Sequence, residues 1–144
     1  MKNYIGTKRV KAEPMNELAA VENGYARKNE DNHEWREGYH VQYTNPDGST
    51  YDSWSPKQVF EISYKCTDSF LDRLQIELEE LAARINGLNV FISKGFDYMS
   101  IKVGHEQASM LIKQHTVMSV YYDILEKRIE DLKKNGKAAP LTQG

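Results

Sequence analysis

Two spacings of apolar residues divide the chain near Cys66. Before it, short alternating runs are broken by turn residues; after it, apolar positions recur in steps of three and four. Leu71, Leu74, Leu78, Leu81, Ile85, Leu88 and Ile92 form one such series, the seam of a heptad helix, and Thr67, Asp68 or Ser69 stands ready to cap it. Residues 93–104, holding Gly95 and Gly104, read as a connection. The seam resumes at Leu111, His115, Met118, Tyr122, Leu125, Ile129 and Leu132, and Gly136 and Pro140 then mark a disordered tail. Two antiparallel helices are expected.

The first half is less regular. Tyr4 to Ala12 reads as a strand ended by Pro14, which removes a backbone donor. Asn16 is placed to cap a short helix from Glu17 to about Glu22, closed at Asn23 and Gly24. Residues 26–37 are nearly all polar and read as an exposed, mobile loop around Trp35. The runs GYHVQY and STYDSW flank Asn45-Pro46-Asp47-Gly48, a hairpin signature. Ser55, Pro56 and Gln58 suggest a capping box opening a helix at Pro56, which would carry Val59, Phe60 and Ile62 toward a core and end near Tyr64.

The expected fold class is therefore α+β. A small β-rich unit of two or three strands with short helices occupies residues 1–66, an antiparallel helical hairpin occupies 67–135, and the tail occupies 136–144. A lone helix pair cannot bury residues such as Ile76, Val90, Met110, Val117, Val120 and Ile124, which lie off the main seams. Self-association through the hairpin is expected, as a homo-oligomer, dimer or higher.

Charge adds exclusions. Lys+Arg number 19 and Asp+Glu 21, a net charge of -2, so neither a basic nucleic-acid arm nor an acidic tail exists, and no DNA or RNA partner is expected. A single cysteine, Cys66, forbids an intramolecular disulfide and fits a reducing cytoplasm. The opening MKNYIGTKRVK lacks the apolar core of a signal peptide, and no run approaches the roughly 20 apolar residues that span a bilayer, so no membrane association is expected.

Motifs for catalysis are missing. His33, His40, His105 and His115 show none of the short spacings of metal ligands, and His115 falls on the helical seam, where a packed histidine is the simpler reading. Glu77, Glu79 and Glu80 fit a solvated helix face. Cys66 has no ordered histidine partner in a known motif, and neither GxxxxGK[ST] nor GxGxxG occurs. No catalytic residue, metal or cofactor is expected; the remaining enzymatic option is a phosphodiester-cleaving site assembled between protomers from His33, His40 or His105.

What stands out is a concentration of rings and cations: Tyr4, Lys8, Arg9, Tyr25, Arg27, Trp35, Trp54, Ser55 and Lys57 are the candidate ligand-binding residues, with Arg36, Tyr39 and Tyr43 nearby. Rings beside Arg or Lys suit a nucleobase and its phosphates, because stacking contributes about 1–3 kcal/mol per base and cations hold the anion. Tyr and Trp also pack across hairpins for purely structural reasons. Lys57 is singled out because the first turn of a helix favours anions.

The stretches YIGTKRVKAEPM, EGYHVQY and DSWSPKQVF resemble a family of small proteins of tailed phages and prophages, across residues 4–60. FLDRLQIELEELAARINGLNVFI and LIKQHTVMSVYYDILEKRI look like the helical hairpin that accompanies such a unit. Similar layouts occur in Thoeris anti-defence and anti-CBASS sponges. The resemblance implies an oligomer, often a hexamer, that holds a cyclic ADP-ribose variant or cyclic dinucleotide uncleaved in the cytoplasm of an infected bacterium. The alternative expectation is a module that binds a host protein through the hairpin.

Overall fold

The structure, a computed structural model, describes residues 1–28 and 34–136. It divides into two compact units, Met1–Lys65 and Cys66–Gly144. The fold is α+β: a three-stranded antiparallel sheet followed by long helices.

In the first unit, β1 (Lys11–Pro14), β2 (Gly38–Thr44) and β3 (Thr50–Pro56) lie in the order β1-β2-β3. The hairpin register runs from Gly38 opposite Pro56 to Thr44 opposite Thr50. Its turn is held by Asn45 and Ser49 backbones at 2.7 Å and by Gly48, whose φ of 88° only glycine adopts without strain. The strand expected over Tyr4 to Ala12 is shorter and later. Pairing begins only at Lys11 opposite Gln42, although β2 itself runs on to Thr44. Pro14 is accommodated as the last residue of an edge strand.

Helix α1 (Glu17–Glu22) begins where Asn16 accepts a 2.9 Å hydrogen bond from the Ala19 backbone and ends at Asn23 and Gly24, as expected. Helix α2 (Lys57–Ser63) departs from expectation. β3 continues through Pro56, Ser55 makes no cap bond to the helix, and no capping box forms. Phe60 stacks on Tyr39 at 4.3 Å and on Tyr64 at 5.0 Å, so these two rings one turn apart define the inward face. Val59 and Ile62 lie off it and are 57% and 82% exposed.

The second unit contains α3 (Phe70–Ile92), α4 (Phe96–Val103) and α5 (His105–Asn135). Ser69 and Asp72 form a capping box at the start of α3. Leu74, Leu81, Leu125 and Ile129 are buried together, and Leu71, Leu78, Ile85, Met118, Tyr122 and Leu132 pack around them, so both predicted seams face each other. Arg128 lies 5.7 Å from the Phe70 ring, placing the end of α5 beside the start of α3, an antiparallel pair. The expected plain connection over 93–104 instead contains α4, isolated by Gly95 and Gly104 at φ 94° and 93° and anchored by fully buried Met99. Two turns between glycines are too short for a periodic signal. Gly136 closes α5 in the left-handed conformation. The mobility assigned to the 26–37 loop bears partly on residues 29–33, His33 among them, and the disorder assigned to the tail on 137–144; these lie outside the described residues. Among those described, no helix is long and apolar enough to cross a membrane.

Candidate functional site

Alternation along β2 sends Gly38, His40 and Gln42 to one face of the sheet and Tyr39, Val41 and Tyr43 to the other. The first face carries α1 and the segment leading into β2. There Glu17, 3% exposed, accepts from Arg36 three times: from Nε at 2.9 Å, from Nη2 at 3.0 Å and from the backbone N–H at 3.2 Å. The bond from the Arg36 side chain outweighs burial and holds the Glu17 carboxyl below its usual range. Sequence reading missed Glu17, because a helix-start glutamate carries no mark of its distant partner.

Trp54 sits on the same face. Its indole N–H donates to the Met15 carbonyl at 2.7 Å, and the Arg36 guanidinium lies 5.2 Å from the ring centroid. The indole rests on Gly38: a Cβ there would fall 2.5 Å from Trp54 Cζ2 and 2.3 Å from the Ser55 carbonyl oxygen. Trp54 is thus held by an N–H bond, a cation and a bare backbone. Glu17, Ala26, Arg27, Lys28, Arg36, Trp54 and Pro56 line an open basin of about 480 Å³ beside it. Arg27 and Trp54 are the two nominated residues that this basin brings together, and Lys28 joins them.

Beside Trp54 in register lies His40, whose ring stacks on Tyr25 at 4.2 Å and 9°. Nδ1 meets Glu13 at 3.0 Å and Nε2 meets Asp52 at 2.7 Å. A carboxylate at each ring nitrogen favours the imidazolium, so hydrogen bonding to Glu13, then to Asp52, raises the His40 pKa. The hairpin register could have disclosed Asp52 near His40; Glu13 required the β1 pairing.

The other nominated residues are elsewhere. Lys8 Nζ lies 4.5 Å over Tyr43, which stacks on Tyr51 at 4.8 Å, on the opposite face of the sheet from Trp54. Burial and neighbouring Tyr64 push the Tyr43 pKa upward. Tyr4 and Arg9 are exposed on the segment before β1, Trp35 is 41% exposed, and Ser55 lies on the Tyr39 face. Lys57 is exposed, and its backbone N–H donates to the Glu37 carbonyl at 3.1 Å, so that donor is already engaged.

The second unit holds a ring-and-cation group that sequence reading passed over. Tyr98 on α4 is 40% exposed, with Lys94 Nζ at 5.6 Å and Lys102 Nζ at 5.5 Å from its ring centroid and Phe91 edge-on at 6.1 Å. The spacing 94, 98, 102 is the signal, visible only once 96–103 is known to be helical. Cys66 is exposed, its Sγ 3.6 Å from Asp72. Among the described residues, no group of three or more His, Cys, Asp or Glu is arranged to hold a metal.

The likeness to known proteins falls on the helices. Residues 68–131 match the family model described as Sequestin. The match covers less than half of the chain and runs from just ahead of α3 to near the end of α5. No curated protein and no solved structure matches the chain. The nine residues nominated from sequence all lie in the first unit, outside the matched stretch, whereas Lys94, Tyr98 and Lys102 lie inside it.

Proposed function

We propose that this protein is a non-enzymatic, phage-derived binding protein that captures a host immune signalling nucleotide, a cyclic ADP-ribose variant or a cyclic dinucleotide, and holds it uncleaved. The observation that carries this reading is the Sequestin match over 68–131, a name that speaks of sequestering. The chemistry is compatible: rings beside cations occur in the basin of Arg27, Lys28 and Trp54 and around Tyr98. The protein acts as a homo-oligomer, dimer or hexamer, in the cytoplasm of the infected cell, and needs no cofactor.

The test is isothermal calorimetry with a panel of cyclic ADP-ribose isomers and cyclic dinucleotides, followed by denaturation and chromatography of the released ligand. The proposal expects heat with at least one compound and recovery of that compound intact. Absence of heat across the panel overturns capture, and recovery of cleaved product overturns the non-enzymatic part. Paired variants, Arg27→Ala with Lys28→Ala and Lys94→Ala with Lys102→Ala, tell which group holds the ligand.

A second reading is favoured by one observation, the exposed apolar side chains of α5, Val117 at 68% and Ile124 at 51%. On that reading the helical unit docks a host protein. Calorimetry with nucleotides is then silent, while Val117→Glu and Ile124→Glu abolish partner binding.

A further inference from the structure

The basin of the first unit is lined by cations of two kinds. Arg27 and Lys28 are exposed and form no ion pair among the described residues. Arg36 is fixed. Its Nε and Nη2 each donate to the Glu17 carboxylate, its backbone N–H donates to the same group, and its carbonyl accepts from the Glu17 N–H at 2.8 Å. Two bonds from one planar fork set the plane of the guanidinium as well as its position. That guanidinium lies over the Trp54 ring, and Trp54 is itself tied to the Met15 carbonyl, close in sequence to Glu17. Yet the Arg36 side chain is 48% exposed, and its Nη1 has no protein partner among the described residues.

This arrangement changes which flat surface a ligand meets. Gly38 lies against the indole and Arg36 lies over it, so Trp54 is not the open platform that its ring chemistry suggests. The guanidinium is. Its plane offers a nucleobase a stacking surface as a ring does, and adds positive charge beneath the electron-rich base. Glu17 and Trp54 already order it, so little side-chain freedom is lost when a ligand arrives. Both Glu17 oxygens are engaged by Arg36, which leaves Arg27 and Lys28 as the uncancelled charge of the basin. We infer that the face of Arg36 turned away from Trp54 is the surface on which the base of the captured nucleotide stacks, with Nη1, Arg27 and Lys28 free for its phosphate oxygens. The inference rests on nucleotide capture as the function and adds the place and the selectivity: a planar base joined to phosphate is held, and phosphate alone is not.

The test is a proton–nitrogen NMR titration of the full chain with the cyclic ADP-ribose isomers and cyclic dinucleotides of the calorimetry panel, read at the Arg36 Nε–H and the Trp54 indole N–H. Inorganic pyrophosphate is the probe for phosphate alone. Stacking moves the Arg36 Nε–H upfield through the ring current of the base, pyrophosphate does not, and the indole N–H keeps its bond to Met15. Arg36→Lys keeps a charge beside Glu17 and removes the plane, so nucleotide affinity should fall roughly tenfold under conditions where intrinsic fluorescence shows both proteins folded. An Arg36 Nε–H that the bound nucleotide leaves unmoved, or that pyrophosphate moves equally, overturns the inference, as does parental affinity in Arg36→Lys. Affinity that survives Arg36→Lys and is lost in the Lys94→Ala, Lys102→Ala pair leaves capture standing and removes this site. Heat with no member of the panel overturns capture and this inference together.

Discussion

Replacing Gly38 by alanine tests whether Trp54 is a structural peg. The new methyl would meet the Ser55 carbonyl oxygen at 2.3 Å and the indole at 2.5 and 2.6 Å, all shorter than real Cβ contacts. The carbonyl belongs to the paired strand and cannot rotate aside, and the indole is tied to Met15. Gly38 is a strand residue without positive φ, so alanine suits its backbone and the cost is one of contact alone. Overpacking of this kind costs about 1–3 kcal/mol, and an immovable backbone neighbour places it near 3 kcal/mol. For a unit of this size each kcal/mol moves the midpoint roughly 4–8 °C, so a fall of about 12–24 °C is expected. Both tryptophans, Trp35 and Trp54, lie in the first unit, so intrinsic fluorescence on heating reports that unit, while circular dichroism at 222 nm is dominated by the helices. Gly6→Ala, with nothing within 4 Å, is the matched control. A fluorescence midpoint for Gly38→Ala within about 2 °C of the parent would refute the reasoning, because it would mean that the sheet yields at no cost.

Other outcomes follow from the same structure. Gly87→Ala, in α3 with open space at its Cβ, should stabilise the helical unit by about 0.5–1 kcal/mol in urea titration followed by circular dichroism. Leu125→Ala, at a fully buried position, should cost that unit about 3–5 kcal/mol by the same assay. Because Arg36 lowers the pKa of Glu17, their pairing stabilises above the usual value of 4.5 and is lost as pH falls through the depressed folded value; Arg36→Ala should flatten that acid-side loss in fluorescence-detected unfolding. His40 has the opposite sign: its raised pKa stabilises the fold below the unfolded value of 6.5, and that contribution disappears as pH rises through the folded value, so His40→Gln should remove this alkaline-side slope and NMR titration of the parent ring should give a midpoint above 6.5.

The long helices were legible because their seams repeat often enough for period to decide, and Ser69, Asn16 and Gly136 mark ends through local chemistry. The hairpin was legible because its turn residues and its flanking runs agree. What escaped were features set by residues far apart in sequence. Tyr4 to Val10 has strand composition but lies outside the ladder, which starts at Lys11, and Ser55 has cap chemistry but is held in β3 by its pairing with Tyr39. The same holds for the ligand candidates. Composition gathered Lys8, Trp54 and Tyr25 into one cluster, whereas strand alternation separates Lys8 from the other two across the sheet. Arg27 and Trp54 meet because the chain returns from α1 to β2, which no local pattern announces.

The central claim is nucleotide capture without turnover, and native mass spectrometry of the protein purified from bacteria that make cyclic immune messengers tests it most directly. The account predicts whole multiples of 16.6 kDa carrying an intact nucleotide at a fixed number per assembly, released unchanged on denaturation. Protein that emerges from those cells as bare chains, with the messenger pool of the lysate undiminished, would contradict it.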